Sequence, residues 1–266
     1  MSGTFGSLVV FLVEPSSTQA KFIGAQLRSL GIEMVRDFGN GGDALKAMGE
    51  SKPDLVISAL YLPDMSGTDL VSTMRHNREL DQIAFILISS ETRPQALEPV
   101  RQLGVCGILP KPFEAAQLKT ALLTTLDFLR EDTDVAGEIN GEDLRVLLVD
   151  DSPSARKFMR RVLENLGIEK FYEAENGRAA VAILSEMMVD LVVTDYNMPE
   201  LDGKGLVDFI RQQSWQKDVP ILMVTSESDY GRLAAIEEAG VSGICDKPFE
   251  PATVRALLTK ILREGH

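Results

Sequence analysis

The segment DLVVTDYNMPELDG, residues 190–203, is the most informative part of this chain. A short apolar run rich in β-branched residues stops at Asp195, and a polar loop with Pro199 and Gly203 follows. This pattern predicts a buried β-strand that ends at the aspartate. There the carboxylate is held rigidly and is expected to face solvent, which suits covalent chemistry or metal binding. A lone aspartate can equally be a turn cap, so the surrounding sequence has to decide between these interpretations.

The chain contains one internal duplication with a constant offset. Three pairs of matching segments carry it: VVFLVEPSSTQAKF (9–22) with RVLLVDDSPSARKF (145–158), PDLVISALYLPDMSG (53–67) with VDLVVTDYNMPELDG (189–203), and GVCGILPKPFE (104–114) with GVSGICDKPFE (240–250). The offset is 136 residues in every pair, for example 145 − 9, and no gap is needed between about residues 8 and 128. A period of this length indicates two copies of a domain rather than a solenoid.

Each copy alternates short apolar runs with amphipathic stretches, which predicts a (βα)₅ domain with a parallel sheet. The strands predicted in the second copy are Arg145–Val149, Lys170–Ala174, Leu191–Asp195, Ile221–Thr225 and Gly243–Asp246. The predicted helices are Ser154–Leu166, Gly177–Met187, Gly203–Gln213, Tyr230–Ala239 and Pro251–Leu262. Gly167 is placed where a left-handed residue ends the first of these helices. Trp215 is expected to be partly buried near a helix end.

The predicted organisation is a first domain at residues 7–129, an acidic linker at 130–143 and a second domain at 144–264. The linker REDTDVAGEINGED contains six acidic residues, one arginine and two glycines, with few apolar side chains. Such a segment buries too little apolar surface to offset the entropy lost on ordering.

Composition excludes several classes of function. The net charge of −13 and the pI of 4.7 argue against nucleic-acid binding, because that needs clustered lysine and arginine. The chain has neither an apolar run of the roughly 18–20 residues that span a bilayer nor a secretion signal, so we expect a cytoplasmic protein without membrane insertion. Cys106 and Cys245 predict neither a disulfide framework nor a zinc site. The two histidines, His76 and His266, are too few for a histidine-based catalytic or metal site.

Polar side chains gather at the carboxyl ends of the second copy's predicted strands, where open parallel sheets bind ligands. They are Asp150 and Asp151 after strand one, Asp195 at strand three, Thr225 and Ser226 at strand four, and Lys247 after strand five. Three carboxylates without imidazole or thiolate partners favour Mg²⁺, for which Mn²⁺ can substitute. Lys247 and Thr225 suit the remaining oxygens of a phosphoryl group carried by a carboxylate. The alternative is a structural salt-bridge cluster, which adjacent Asp150 and Asp151 make unfavourable through charge repulsion.

Over residues 144–262 the second copy resembles the receiver domain of two-component response regulators, close to the single-domain chemotaxis type. The resemblance implies flavodoxin-like, doubly wound sheets of strand order 2-1-3-4-5, and a histidine kinase or histidine phosphotransfer protein as phosphodonor. It implies that Asp195 is the phosphoacceptor and that Thr225, Ser226 and Lys247 contact the phosphoryl group, with a cis bond to Pro248. The ligands it implies for Mg²⁺ are Asp150, Asp151, Asp195 and the backbone carbonyl of Asn197.

One position departs from this family. In the family, the residue three positions before the phosphate-contacting lysine, here Lys247, is usually Tyr or Phe. In this chain it is Ile244. The usual coupled movement of a threonine and an aromatic ring is therefore in question. Asn197 and Glu227 occupy the positions that tune hydrolysis in the family, and their polar side chains predict comparatively fast autodephosphorylation.

The first copy has lost the chemistry. Subtracting 136 from the site positions gives Glu14 for Asp150, Pro15 for Asp151, Ala59 for Asp195, Ser89 for Thr225 and Lys111 for Lys247. An alanine methyl group neither accepts phosphate nor binds metal. We therefore interpret the first copy as a pseudo-receiver in which Lys111 pairs with Glu14, retained for protein contact or only as a stabilising relic.

The leading functional hypothesis is a response regulator that signals through contact with a downstream protein, since no effector segment follows residue 262. Apart from its own phosphotransfer and autodephosphorylation it is not expected to be an enzyme. One alternative is a non-switching scaffold or phosphate sink, favoured by Ile244. A distant alternative is a Mg²⁺-dependent aspartyl-phosphate phosphohydrolase, which needs a second acid where Asn197 stands and a cap over the substrate.

Overall fold

The computed structural model describes residues 5–129, 141–226, 236, 238–249 and 251–264. The chain divides into two compact units, Met1–Leu129 and Arg130–His266. They are referred to below as the first and the second domain.

The first domain alternates strands and helices throughout. In chain order its elements are β1 (Val9–Val13), α1 (Ser17–Ser29), β2 (Met34–Phe38), α2 (Gly41–Glu50), β3 (Leu55–Ala59), α3 (Gly67–His76), β4 (Ala84–Ser89), α4 (Pro94–Arg101), β5 (Gly107–Pro110) and α5 (Ala115–Leu129). The strands form one parallel sheet in the order β2-β1-β3-β4-β5. This is the flavodoxin-like topology that the sequence predicted.

The second domain repeats that topology. Its elements are β6 (Arg145–Val149), α6 (Pro153–Glu164), β7 (Lys170–Ala174), α7 (Gly177–Glu186), β8 (Leu191–Asp195), α8 (Gly203–Gln212), β9 (Ile221–Thr225), β10 (Gly243–Asp246) and α9 (Pro251–Glu264). The parallel order is β7-β6-β8-β9-β10, so all five strands predicted for this copy are confirmed. Most of the helix predicted over 230–239 lies outside the described residues.

The central strands are apolar on both faces because helices cover both sides of a parallel sheet. Every residue of β8 and β9 is buried, whereas in the edge strand β7 only Ala174 is buried. Each domain has its own core, built in the second domain around residues such as Leu147, Val192 and Ile210. This packing fixes the strand ends that carry the polar residues.

Helix α6 begins and ends by identifiable local interactions. Ser152 caps its amino end through a hydrogen bond from the Ala155 amide, and Pro153 occupies the first turn. The helix ends at Glu164, two residues before the predicted end. Gly167 adopts the predicted left-handed conformation, with a φ of 86°.

A short 3₁₀ turn, Gly141–Asp143, lies inside the range predicted as linker. Gly141 is buried, and a Cβ atom at this position would lie 2.6 Å from the carbonyl oxygen of Gly167. Asp143 pairs with Lys170 at 2.8 Å. The last three residues of the predicted linker therefore pack on the second domain, while 130–140 lie outside the described residues.

Of the helices in the described ranges, not one combines the length and the apolar character needed to cross a bilayer.

Candidate functional site

Four strands of the second domain bring the predicted site residues to one edge of the sheet. Asp150 follows β6, Asp195 ends β8, Thr225 ends β9 and Lys247 follows β10. Because the strands are parallel, their carboxyl ends meet at the same edge. The convergence predicted from sequence is thus observed.

Three carboxylates form the centre of this site. Asp150, Asp151 and Asp195 each place one oxygen within 4.8 Å of the others. Asp150 and Asp195 are buried and Asp151 is exposed. Their donor atoms are all carboxylate oxygens. Such oxygens bind hard ions such as Mg²⁺ and Mn²⁺ better than they bind soft metals. The chemistry and spacing of these donors fit a hard divalent cation.

Lys247 bridges two of the carboxylates. Its Nζ lies 3.1 Å from Asp150 Oδ2 and 3.0 Å from Asp195 Oδ2, and its side chain is 4% exposed. The backbone amide of Lys247 donates to the Thr225 carbonyl at 2.9 Å, and the peptide bond to Pro248 is cis, as predicted. The backbone of Lys247 is therefore held against the neighbouring strand, and its ammonium group is held by the two acids.

Asp195 is more enclosed than the sequence predicted. The residue is 1% exposed, so the expectation of a solvent-facing carboxylate is wrong for this structure. The reason is the strand end itself: Lys247 contacts Oδ2, while the Tyr196 amide donates to Oδ1 at 2.8 Å. Both carboxylate oxygens are thus occupied by protein donors.

The burial of these charges shifts their pKa values. Burial raises the pKa of Asp195 to about 6, with a further contribution from Asp150, while Lys247 opposes the rise. Burial also raises the pKa of Asp150 against the opposing effect of Lys247. Burial works to lower the pKa of Lys247, but the two carboxylates outweigh it and the pKa is raised. The two acids carry a desolvation cost that a divalent cation would offset.

The other predicted residues surround this centre unevenly. Thr225 is fully buried at the end of β9 and Ser226 beside it is half-buried, while Asn197 is exposed. Ile244 pairs with Met223 in the sheet and packs, half-buried, against the domain core. Glu227 lies outside the described residues.

Two further residues position the site and were not identified from sequence. The Arg156 guanidinium donates to the Asp150 carbonyl at 2.5 Å and pairs with Glu173 at 3.3 Å. Gly203 begins α8 so close to the strand that a Cβ atom would lie 2.2 Å from the Asp195 carbonyl oxygen. One feature of the sequence could have identified Arg156. The equivalent residue of the first copy is Ala20, whose methyl group cannot make these contacts.

The first domain holds a different arrangement at the equivalent place. Lys111 Nζ pairs with Glu14 Oε2 at 2.8 Å and donates to Gln19 Oε1 at 2.5 Å, so the predicted lysine–glutamate pair is confirmed. Ala59 and Ser89 are buried at the strand ends, and Pro15 follows Glu14 without a carboxylate. An internal ion pair stands where the second domain has its three acids.

Both domains match known proteins in sequence. Residues 10–123 and 146–259 both match the response regulator receiver domain family. Chemotaxis protein CheY-3 of Vibrio cholerae is 36% identical over 123 residues, which cover 46% of this chain and 95% of that protein. A chemotaxis CheY homolog of Campylobacter jejuni is 35% identical over the same fractions. Among solved structures, the chemotaxis response regulator CheY4 of Vibrio cholerae matches with 34% identity and a TM-score of 0.41, covering 44% of this chain and 98% of that chain.

Proposed function

Because this chain belongs to the response regulator receiver family, with two receiver domains in tandem, we propose that it accepts a phosphoryl group on Asp195. The donor is a histidine kinase or a histidine phosphotransfer protein. The observation that carries the proposal is the contact of Lys247 with Asp150 and Asp195, beside the third acid, Asp151. In the first domain Ala59 stands at the position of Asp195, which supports the second domain as the reactive one.

In the proposed reaction a carboxylate oxygen of Asp195 attacks the phosphorus of a phosphohistidine. The phosphorus–nitrogen bond breaks, its electron pair returns to the imidazole, and an acyl phosphate forms on Asp195. Lys247 leaves its ion pair with the free carboxylate and contacts a phosphoryl oxygen instead. The Thr225 hydroxyl and the Ser226 side chain hydrogen-bond the remaining oxygens.

Magnesium is part of the proposal. Asp150, Asp151, Asp195 and the backbone carbonyl of Asn197 would hold the ion, and Mn²⁺ would substitute for it. When bound, it supplies positive charge beside the entering phosphoryl oxygens. Asp151, the exposed member of the three, leaves a route for an ion to reach the buried pair.

Acetyl phosphate labelling tests the assignment directly. Full-length protein with Mg²⁺ is expected to gain close to one phosphoryl group per chain, released by hydroxylamine as an acyl phosphate is. Asp195→Asn removes the label, whereas Asp218→Asn, at an exposed acid of the same domain, keeps it. Chelation of divalent ions abolishes labelling. Full labelling of Asp195→Asn would overturn the assignment.

We propose that the phosphorylated second domain signals by contacting a downstream protein and that the first domain is an unreactive pseudo-receiver. The cytoplasmic location, the lack of nucleic-acid binding and the lack of other enzymatic activity predicted from the sequence belong to this proposal. Ala59 and Pro15 support the inert role of the first domain, because neither side chain can accept a phosphoryl group or bind a metal ion.

A second candidate is a non-switching scaffold or phosphate sink. Ile244 favours it, because this aliphatic side chain packs against the core where the family usually has an aromatic ring. Pull-downs with and without beryllofluoride, which imitates a phosphoryl group, separate the two functions. A partner recovered only in the beryllofluoride state supports the switch, and equal recovery in both states supports the scaffold or sink.

A further inference from the structure

Three large apolar side chains are exposed at the other end of the second domain's sheet. Met187 is 41% exposed, Met188 53% and Trp215 61%, so the expectation that Trp215 is partly buried is wrong. They lie in the loops that precede β8 and β9, at the amino ends of the strands, whereas Asp195 lies at the carboxyl ends. Met187, Met188 and Trp215 are referred to below as the Trp215 surface.

The Trp215 surface is held together by a buried glutamine. Gln216 Nε2 donates to the carbonyls of Leu184 and Met187, each at 2.9 Å, and Gln216 Oε1 accepts from the Val189 amide at 2.9 Å. Trp215 Nε1 also donates to the Leu184 carbonyl at 3.1 Å. These bonds join the two loops. A partner would meet a preformed surface, which lowers the entropy lost on binding.

The duplication supplies a control for this surface. With the offset of 136, the counterparts of Met187, Met188 and Trp215 are Ser51, Lys52 and Glu79. Lys52 Nζ and Glu79 Oε2 form an exposed ion pair at 3.5 Å. The same fold therefore accepts charged residues at the positions of Met188 and Trp215. In the first domain the side chains at these two positions contact each other. The apolar residues of the second domain are not a requirement of its core.

The size and charge of the Trp215 surface indicate what it binds. Its three partly exposed side chains offer less apolar area than the roughly 800 Å² that each partner buries in a stable interface. Two copies of this chain would also repel each other, since each has a net charge of −13. Next to the surface in the sequence, Glu186 and Asp218 are exposed acids and Lys217 is an exposed base. The half-buried Arg211 also reaches this loop, where its guanidinium donates to the carbonyls of Lys217 and Val219. A small, anchored contact with a basic partner satisfies these conditions better than self-association.

We propose that the Trp215 surface docks a basic amphipathic helix of another protein. Apolar side chains on one face of that helix pack on Trp215 and the two methionines. Tryptophan is enriched at binding hot spots, and the flexible methionine side chain adapts to different partners. Lysine or arginine beside that face meets Glu186 and Asp218. The contact is independent of phosphorylation, because it lies at the opposite end of the sheet from Asp195.

The single tryptophan of the chain allows a direct test. The probe is a synthetic peptide of about 16 residues, with leucine on one helical face and lysine on the others, long enough to be helical when bound. Its addition is expected to shift Trp215 emission to shorter wavelength and to protect it from acrylamide. Matched peptides with glutamate for lysine, or serine for leucine, are expected to leave the emission unchanged. An emission shift with either control peptide, or none with the probe, contradicts the proposal.

Variants then localise the binding. Met188→Lys keeps the tryptophan, and the double variant Met188→Lys with Trp215→Glu restores the charged pair of the first domain. By anisotropy of labelled peptide, both should bind at least about tenfold more weakly than the parent protein. Phe22→Glu, at a 57% exposed aromatic of the first domain, is the matched control and should bind normally. Asp195→Asn should also bind normally, which separates this result from the labelling experiment.

Three outcomes would overturn the proposal. One is unchanged peptide affinity in Met188→Lys, and another is equal weakening by Phe22→Glu. The third is Trp215 emission that shifts with protein concentration when no peptide is present, because this would identify a second copy of the chain as the occupant. Circular dichroism of each variant confirms that a loss of binding does not come from unfolding.

Discussion

Lys247 and Asp195 form an ion pair of 3.0 Å at the carboxyl edge of the second domain, and this pair distinguishes the two copies of the fold. In the first domain the corresponding lysine, Lys111, pairs with Glu14, the counterpart of Asp150, but Ala59 offers it no second carboxylate. Even with its lysine, Asp195 has a pKa raised to about 6 by burial. Its charged form is therefore destabilised in the folded protein, and a cation or a phosphoryl group changes that balance.

The first prediction concerns stability and pH. Unfolded aspartate has a pKa near 3.9, so between about pH 4 and 6 the folded protein binds a proton on Asp195 that the unfolded chain has lost. Stability from this group is therefore greatest at low pH and decreases as the pH rises through 6. Asp195→Asn should raise the free energy of unfolding by about 1–3 kcal/mol at pH 7, and the gain should shrink towards pH 4. Urea denaturation in chelator, followed by Trp215 fluorescence, measures it.

Asp218→Asn, at an exposed acid, serves as the control for that comparison and should change little at either pH. Equal unfolding midpoints for the parent protein and Asp195→Asn at pH 7 would show that burial of this carboxylate does not cost stability.

The second prediction concerns the first domain. Asp195→Ala protein should take up no label from acetyl phosphate, because the first domain lacks an acceptor at Ala59 and Pro15 removes a metal-binding carboxylate. Adding Ala59→Asp should restore little label, since Pro15 still leaves the site without its second metal-binding carboxylate. Adding Pro15→Asp as well should increase it. Stoichiometric labelling of the Asp195→Ala variant alone would show that the first domain is reactive.

The third prediction concerns the glycine that begins α8. A Cβ atom at Gly203 would lie 2.2 Å from the Asp195 carbonyl oxygen and 2.9 Å from Tyr196 Cα, both backbone atoms that cannot move aside easily. Gly203→Ala should therefore cost about 2–4 kcal/mol of stability and reduce labelling of Asp195. Thermal denaturation and acetyl phosphate labelling measure the two effects.

Two glycines of the first domain provide matched controls. At Gly67 a Cβ atom would lie 2.5 Å from the Ala59 carbonyl oxygen, so Gly67→Ala should destabilise the first domain without affecting labelling. At Gly49 in α2 a Cβ atom meets nothing within 4 Å. Gly49→Ala should be stabilising by about 0.5–1 kcal/mol. If Gly203→Ala is as stable and as reactive as the parent, the close approach of α8 to the acceptor is not important.

The fourth prediction concerns the lifetime of the acyl phosphate. Asn197 is exposed and lies two residues after Asp195. We expect its amide to orient an attacking water, so the phosphoryl half-life should be far shorter than many hours. Asn197→Met keeps the backbone carbonyl but removes the amide, and it should slow dephosphorylation several-fold. The decay of labelled protein after removal of acetyl phosphate measures both rates. Tyr61→Asn, at the equivalent exposed position of the first domain, should have no effect, and a half-life of many hours in the parent protein would contradict the prediction.

Most of the fold could be predicted because its signals are local. The apolar runs of β6 and β8, each ending in aspartate, give both the strands and the positions of Asp150 and Asp195. The constant offset of 136 residues then shows that the first copy has Ala59 at the position of Asp195. Even the pair between Lys111 and Glu14 followed from removing the other acids.

Contacts between distant segments could not be predicted in the same way. The enclosure of Asp195 depends on Lys247, which lies 52 residues further along the chain and reaches the carboxylate only when β10 pairs with β9. Arg156 holds the Asp150 carbonyl from α6, and its role depends on the helix packing beside β6. Trp215 is exposed because buried Gln216 takes the inward position between the two loops.

The sequence by itself therefore determined that DLVVTDYNMPELDG ends a strand of a duplicated receiver fold at Asp195, since strand ends and repeat offsets are properties of the chain order. Only the tertiary structure decided how accessible Asp195 is, how strongly its proton is held and which apolar side chains remain exposed. Burial, desolvation and ion pairing depend on neighbours from other elements, and these neighbours are assembled only when the sheet forms.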